Sequence, residues 1–160
     1  MPKRSAGLLP YRIHDGVVEV LIGHPGGPFW ASKDDGAWSI LKGEYADGED
    51  PWEAAQREFT EETALAPPAG PRIDFEPVRQ PSGKVLTAFA VRGDVDISDA
   101  RSNAFEIEWP RGSGRMRKFP EIDRVQWFSV AQARDKLLAG QRVILNRLMA
   151  DAALSDMREE

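Results

Sequence analysis

Between Asp50 and Pro68 the chain spells out one helix with both ends marked and one face laden with acid, and any fold it adopts must house that face. Asp50 is a good N-cap, because a carboxylate can accept from the open N–H groups of a first turn, and Pro51 suits the first helical position. Glu53 stands three residues after the cap, as in a capping box. Pro67-Pro68 stops any continuation, since the residue before a proline disfavours helical geometry. A helix is therefore predicted over about 51–63. At about 100° per residue, Glu58, Glu61 and Glu62 share an arc of about 100°, with the compact Pro51, Ala54 and Ala55 on or beside it. Trp52, Phe59 and Thr63 form an adjoining stripe able to enter a core.

The charge distribution repeats the message. From Gly43 to Thr63 one arginine, Arg57, faces eight acids, so the window carries −7; the chain's total is −5, which leaves +2 for the rest. Carboxylates at i, i+3 and i+4 repel one another unless a cation lies between them. Oxygen donors with no His or Cys nearby select a hard ion, so Mg²⁺ is expected, with Mn²⁺ as a substitute. Mg²⁺ is usually shared with substrate phosphates rather than caged by protein alone, so the acidic face predicts a phosphate-bearing substrate.

The remainder reads as one domain over 1–160. The absence of cysteine excludes disulfides, thiolate metal sites and cysteine nucleophiles, and a chain of 160 residues can bury a core without them. The longest proline-free apolar run, Val85–Val91, is far short of a membrane span of about 20 residues. Residues 1–12 hold no apolar segment of a secretory signal, so a soluble, cytoplasmic protein is expected. Strands are predicted at Leu8–Ile13 and Val17–Ile22 around Asp15-Gly16, at Trp38–Ile40, Ile73–Arg79, Lys84–Val91, Phe105–Trp109 and Asp123–Phe128. Ser129 caps a helix to about Leu138, Gly140 breaks it, and Gln141–Leu154 forms a last amphipathic helix. Trp109, Trp127, Phe105, Val143, Leu145 and Leu148 are expected in the core. The pattern is α/β or α+β.

Gly43, then five residues, Glu49, then seven, then Arg57-Glu58-Phe59-Thr60-Glu61-Glu62-Thr63-Ala64-Leu65 closely resembles the signature of the Nudix hydrolases, G-x5-E-x7-R-E-U-x-E-E-x-G-U with U apolar. The only departure is Ala64 in place of glycine. A glycine there supplies a left-handed helix cap; alanine costs roughly 1 kcal/mol, or the helix ends differently. The resemblance implies an α/β/α sandwich with a mixed sheet, and hydrolysis of a phosphoanhydride bond in a nucleoside diphosphate linked to a group X. It implies that Glu58, Glu61 and Glu62 bind metal with the carbonyl of Gly43, that Glu61 or Glu58 serves as general base, and that Glu49 and Arg57 tie the loop to the helix, with Arg57 orienting Glu58. Many members add a glutamate from a loop before a late strand. Glu121 stands in that place, with Glu106 and Glu108 as rivals.

Substrate clues are softer. Trp38-Ser39-Ile40-Leu41-Lys42-Gly43 is similar to a W-[ST]-x-P-K-G segment of dinucleoside polyphosphate and diphosphoinositol phosphate hydrolases, with Leu41 replacing the proline. The tyrosine typical of dinucleoside polyphosphate hydrolases about 17 residues after the box is absent, and Pro81-Ser82-Gly83 occupies that place. Lys42, Trp38, His24 and Arg115 are the candidate substrate contacts; Phe29 and Trp30 either stack on a nucleobase or pin their loop. The expected partner is a nucleotide-like diphosphate, with dinucleoside polyphosphates or nucleoside triphosphates favoured over ADP-ribose or an RNA cap. No membrane partner is expected, nor a nucleic acid, because no aromatic-studded basic face is evident. A non-catalytic nucleotide sensor is the rival reading; such modules typically lose box glutamates, and this chain keeps all four.

Overall fold

The computed structural model describes residues 3–159, with side chains to Asp151. Strands β1 (Arg4–His14) and β2 (Val17–Pro25) form a hairpin whose two-residue turn, Asp15-Gly16, has positive φ at both positions, as the right-handed strand twist requires. After a long loop come β3 (Leu41–Glu44) and helix α1 (Pro51–Thr63), then β4 (Arg72–Asp74), β5 (Val78–Arg79) and β6 (Val85–Arg92). Strands β7 (Ala104–Glu108) and β8 (Met116–Pro120) make a separate hairpin. Strand β9 (Ile122–Ser129), helix α2 (Val130–Lys136), a 3₁₀ turn at Ala139–Gln141 and helix α3 (Arg142–Glu159) complete the chain.

Seven strands form one mixed sheet. Its main order is β4-β6-β1-β2-β9, with β3 on β1 and β5 on β6. The β1–β6 pair is parallel and the others are antiparallel. Side chains alternate across β1: Ala6 and Leu8 join Leu41, Ala54, Ala55 and Phe59 beneath α1. Leu9 and Tyr11 face the other way and join Trp38, Phe128, Ala133, Ile144, Leu145 and Leu148 beneath α2 and α3. Helices thus cover both faces, and the sandwich is α/β/α.

Several expectations need adjustment. Trp38–Ile40 is not a strand; Trp38 and Ser39 make isolated bridges to Leu137 and Gly23, and regular pairing begins at Leu41. The strand foreseen over 73–79 is split at Glu76-Pro77, because proline cannot donate to a ladder. Strand β8 adds to the strands expected from the sequence. Trp109, Trp127 and Phe105 are half-buried, and Val143 is exposed while its neighbour Ile144 takes the core position.

Candidate active site

Helix α1 starts as its sequence dictates. Asp50 has extended backbone geometry, and its carboxylate accepts from Glu53 N at 3.1 Å. It ends on Ala64, whose φ of 61° and ψ of 18° are left-handed, and Ala64 N donates to Thr60 O at 2.7 Å. The cap survives without glycine, so alanine bears the backbone strain.

The acidic face and the buried face are not neighbours; they overlap. Ala54, Ala55, Phe59, Glu62 and Thr63 are the buried residues of α1, so the two alanines pack into the core rather than leaving room around the acids. Glu62 is only 9% exposed, and its Oε2 is buried with no hydrogen-bond partner. Burial, then the nearby Glu58 carboxylate, push the Glu62 pKa up to about 8. Burial and Glu61 also raise Glu58 above the ordinary carboxylate range.

Arg57 holds the remaining acids. Its guanidinium grips Glu49 through two nitrogens at 3.2 and 3.3 Å, Glu58 at 2.9 Å and Glu61 at 3.3 Å. Loop and helix are thus tied, as the family resemblance implies. Gly43 enters through β3, which pairs with β1. A side chain there is impossible without movement, because a Cβ would overlap the Glu58 carboxyl.

Beside Glu62 opens a cleft of about 220 Å³ whose walls include Trp30, Ser39, Lys42, Glu62 and Glu121. Burial holds the Lys42 ammonium below its usual pKa, and Glu62 pulls in the opposite direction. The Glu121 carboxylate is close enough to help raise Glu62. Glu106 and Glu108 sit elsewhere: Glu106 is paired across β7–β8 with Lys118, and Glu108 accepts from Gly112 N at 2.6 Å.

Three sequence candidates for substrate contact are not brought to this cleft. Trp38 is 1% exposed; its Nε1 donates to Asp34 at 2.8 Å, and its ring stands edge-on to His24 and Phe128. Packing, not solvent access, decided its place. His24 is fully buried, with Nδ1 2.8 Å from Asp123 Oδ1 and Nε2 2.6 Å from Lys33 O, so both ring nitrogens are engaged. Arg115 lies on the exposed turn between β7 and β8, outside the cleft walls.

Sequence reasoning also missed a brace. Gln141 is fully buried; its Oε1 accepts from Ile40 N at 2.8 Å and its Nε2 donates to Ser39 Oγ at 3.0 Å, which fixes the segment entering Lys42-Gly43. Nothing local in the sequence links residues a hundred positions apart.

The donor set fits a hard divalent ion. An orphaned buried carboxylate oxygen on Glu62, the Glu58 carboxyl against Gly43, and Glu121 across the cleft are all oxygen donors with incomplete partners or mutual repulsion. Among the described residues no three acids or histidines already converge as a finished cage, in keeping with Arg57 occupying Glu58 and Glu61.

The family model described as the NUDIX domain matches residues 1–148. The chain belongs to this family and is a Nudix hydrolase. Comparison with curated proteins gives no match. Among solved structures, a mutT/nudix family protein from Listeria innocua aligns with TM-score 0.66 at 16% identity, covering 98% of both chains. An Ap4A hydrolase from C. elegans in a binary complex aligns with TM-score 0.63 at 21% identity, covering 94% of this chain and 98% of that one. The NUDIX domain of Shewanella oneidensis NrtR, complexed with ADP ribose, aligns with TM-score 0.63 at 16% identity, covering 96% and 89%. At these identities the likeness establishes the fold. Among the described residues no helix is long and apolar enough to cross a membrane.

Proposed function

We propose that the chain, as one Nudix domain over 1–160, is a Mg²⁺-dependent cytoplasmic pyrophosphohydrolase that cleaves a phosphoanhydride bond in a nucleoside diphosphate linked to X. Dinucleoside polyphosphates or nucleoside triphosphates are the favoured substrates. The observation that carries this reading is the buried, unpartnered Glu62 Oε2, set beside Glu58 and Gly43 and in one cleft with Lys42 and Glu121. A buried carboxylate oxygen without a partner is costly unless a ligand supplies one. One fold neighbour is an Ap4A hydrolase and another is complexed with ADP ribose, which agrees with a nucleotide diphosphate class.

Glu58, Glu61 and Glu62, the Gly43 carbonyl and Glu121 would hold the ions. Bound there, divalent ions would supply the acidification of an attacking water and the offset of charge on the leaving phosphate. Glu61, 42% exposed and gripped on Oε1 by Arg57, would act as general base toward a water; Glu58 is the second choice. Arg57 orients Glu58 and Glu61 while Glu49 fixes Arg57. Lys42 meets a phosphate oxygen, and Trp30 offers a ring to a nucleobase in the same cleft. His24, Trp38 and Gln141 shape the cleft from behind.

The test is a panel of nucleotides incubated with Mg²⁺ in ¹⁸O-water, with products identified by mass spectrometry. Turnover with label in one phosphate product supports the reading. Tight nucleotide binding without any turnover would assign the chain as a sensor instead.

A further inference from the structure

Glu62 is a wall of two clefts. Besides the one shared with Trp30 and Lys42, a second of about 160 Å³ is lined by Glu62, Arg101, Ser102, Ile122, Asp123 and Arg124, among others. The two differ in chemistry. The first combines an indole and aliphatic walls with Lys42; the second has no aromatic lining residue and presents Arg101, Arg124 and Ser102 together with Asp123, whose carboxylate is already engaged by His24.

Arg101 is placed by the catalytic helix itself. Arg101 N donates to Thr63 O at 2.8 Å and Asn103 N to Glu61 O at 3.0 Å, so this segment satisfies carbonyls left open at the end of α1. Ser102 Oγ accepts from Ile122 N at 3.0 Å, and Glu121 N donates to Asn103 O at 2.8 Å, which joins the segment to the approach of β9. Among the described residues the Arg101 side chain has no carboxylate partner. Arg124 lies 3.8 Å from Asp123 and 5.2 Å over the Trp38 ring, while Asp123 is engaged by His24 at 2.8 Å. Arg101, on a segment held by backbone bonds to the end of α1, thus lines a cleft that shares Glu62 with the cleft of Lys42.

We propose that the Arg101 cleft is an anion subsite that takes a phosphate-bearing end of the substrate, while the nucleoside lies in the Trp30–Lys42 cleft and the phosphate chain crosses at Glu62. The proposal rests on the pyrophosphohydrolase reading above and adds to it which half of the substrate goes where. A guanidinium fork matches phosphate oxygens, and such charge-assisted bonds are the strong ones. A second nucleobase would find no ring to stack on in this cleft. The subsite therefore selects substrates that end in phosphate, nucleoside triphosphates above all.

The probe is methylenediphosphonate, whose P–C–P link resists hydrolysis, titrated calorimetrically with Mg²⁺ into wild type, Arg101→Gln and Arg79→Gln. Arg79 is an exposed arginine on β5 outside both clefts and controls for the loss of one charge. Arg101→Gln is expected to weaken binding at least ~10-fold and Arg79→Gln to leave it within ~2-fold. With nucleoside triphosphate as substrate, Arg101→Gln raises KM about 10-fold with little change in kcat, whereas KM for ADP-ribose, which has no free phosphate end, moves less than ~2-fold. No binding by wild type, equal binding by Arg101→Gln, or equal weakening in both variants overturns the subsite. A lower melting temperature with unchanged diphosphonate binding also overturns it and makes Arg101 a partner of the α1 C-terminus only. If no nucleotide is hydrolysed, the pyrophosphohydrolase reading fails while the diphosphonate titration still decides the subsite.

Discussion

The α1 side of the first cleft and the β7–β8 hairpin, which lies outside the cleft walls, are built from opposite materials. On the α1 side, one carboxylate is buried and the others are held: Glu62 is 9% exposed, and Arg57 ties together Glu49, Glu58 and Glu61. The β7–β8 hairpin, resting on the loop after β2 through Phe29–Trp109 and Gly27–Phe105 contacts, carries Arg111, Arg115, Arg117 and Lys118 in the open. A charge in water costs little, so the hairpin charges say little about a ligand. A carboxylate kept under a sheet costs stability and persists only where something recovers that cost. The contrast teaches that burial, not charge density, separates the site from the surface.

The largest expected effect on that contrast comes from Glu61→Gln. Loss of the general base should lower kcat by about 100-fold or more with the fold intact, and an unchanged rate removes Glu61 from its role. Next, Glu121→Gln should weaken Mn²⁺ binding, followed by electron paramagnetic resonance, by roughly 10-fold, the scale seen for altered metal surroundings. The same change at Glu106, on the exposed hairpin, should move it less than ~2-fold; the reverse ranking would erase the contrast.

A third effect is on stability. The folded Glu62 pKa is raised to about 8 from an ordinary glutamate value of 4.5, so folding favours the protonated acid. That stability is fully present below about pH 4.5 and is lost as pH rises through about 8, an effect on the order of a few kcal/mol. Melting in EDTA should therefore show the metal-free protein weakening from about pH 5 to 8, and Glu62→Gln should flatten the curve. A curve equally steep in the variant would place the titration elsewhere. The smallest effect is Ala64→Gly, which relieves the left-handed alanine and should add about 1 kcal/mol in urea unfolding.

Local chemistry made α1 legible from the sequence: Asp50, Pro51 and Pro67 mark its ends, and the box spacing selects its acids. The left-handed stop at residue 64 was also readable, because the position asks for glycine even when alanine fills it. Two things were not. Helical arcs place Glu58, Glu61 and Glu62 on one face but do not say which face the sheet covers, so the overlap of acid and core emerged only with β1 and β3 in place. Residue type alone does not reveal packing: Trp38 and His24 read as candidate ligand contacts, yet Asp34, Asp123 and Phe128 engage them in the interior. Gln141 and Arg101 were invisible because their partners lie far away in sequence or on backbone carbonyls.

A carboxylate that walls two clefts also separates two exits. Cleavage beside Glu62 would leave the nucleoside-bearing product on the Trp30 side and the phosphate-bearing product on the Arg101 side. Neither product would then need to wait for the other to depart. Release should be random rather than ordered, and both products should be able to occupy the protein together, which dual product-inhibition kinetics would register as intersecting rather than parallel lines.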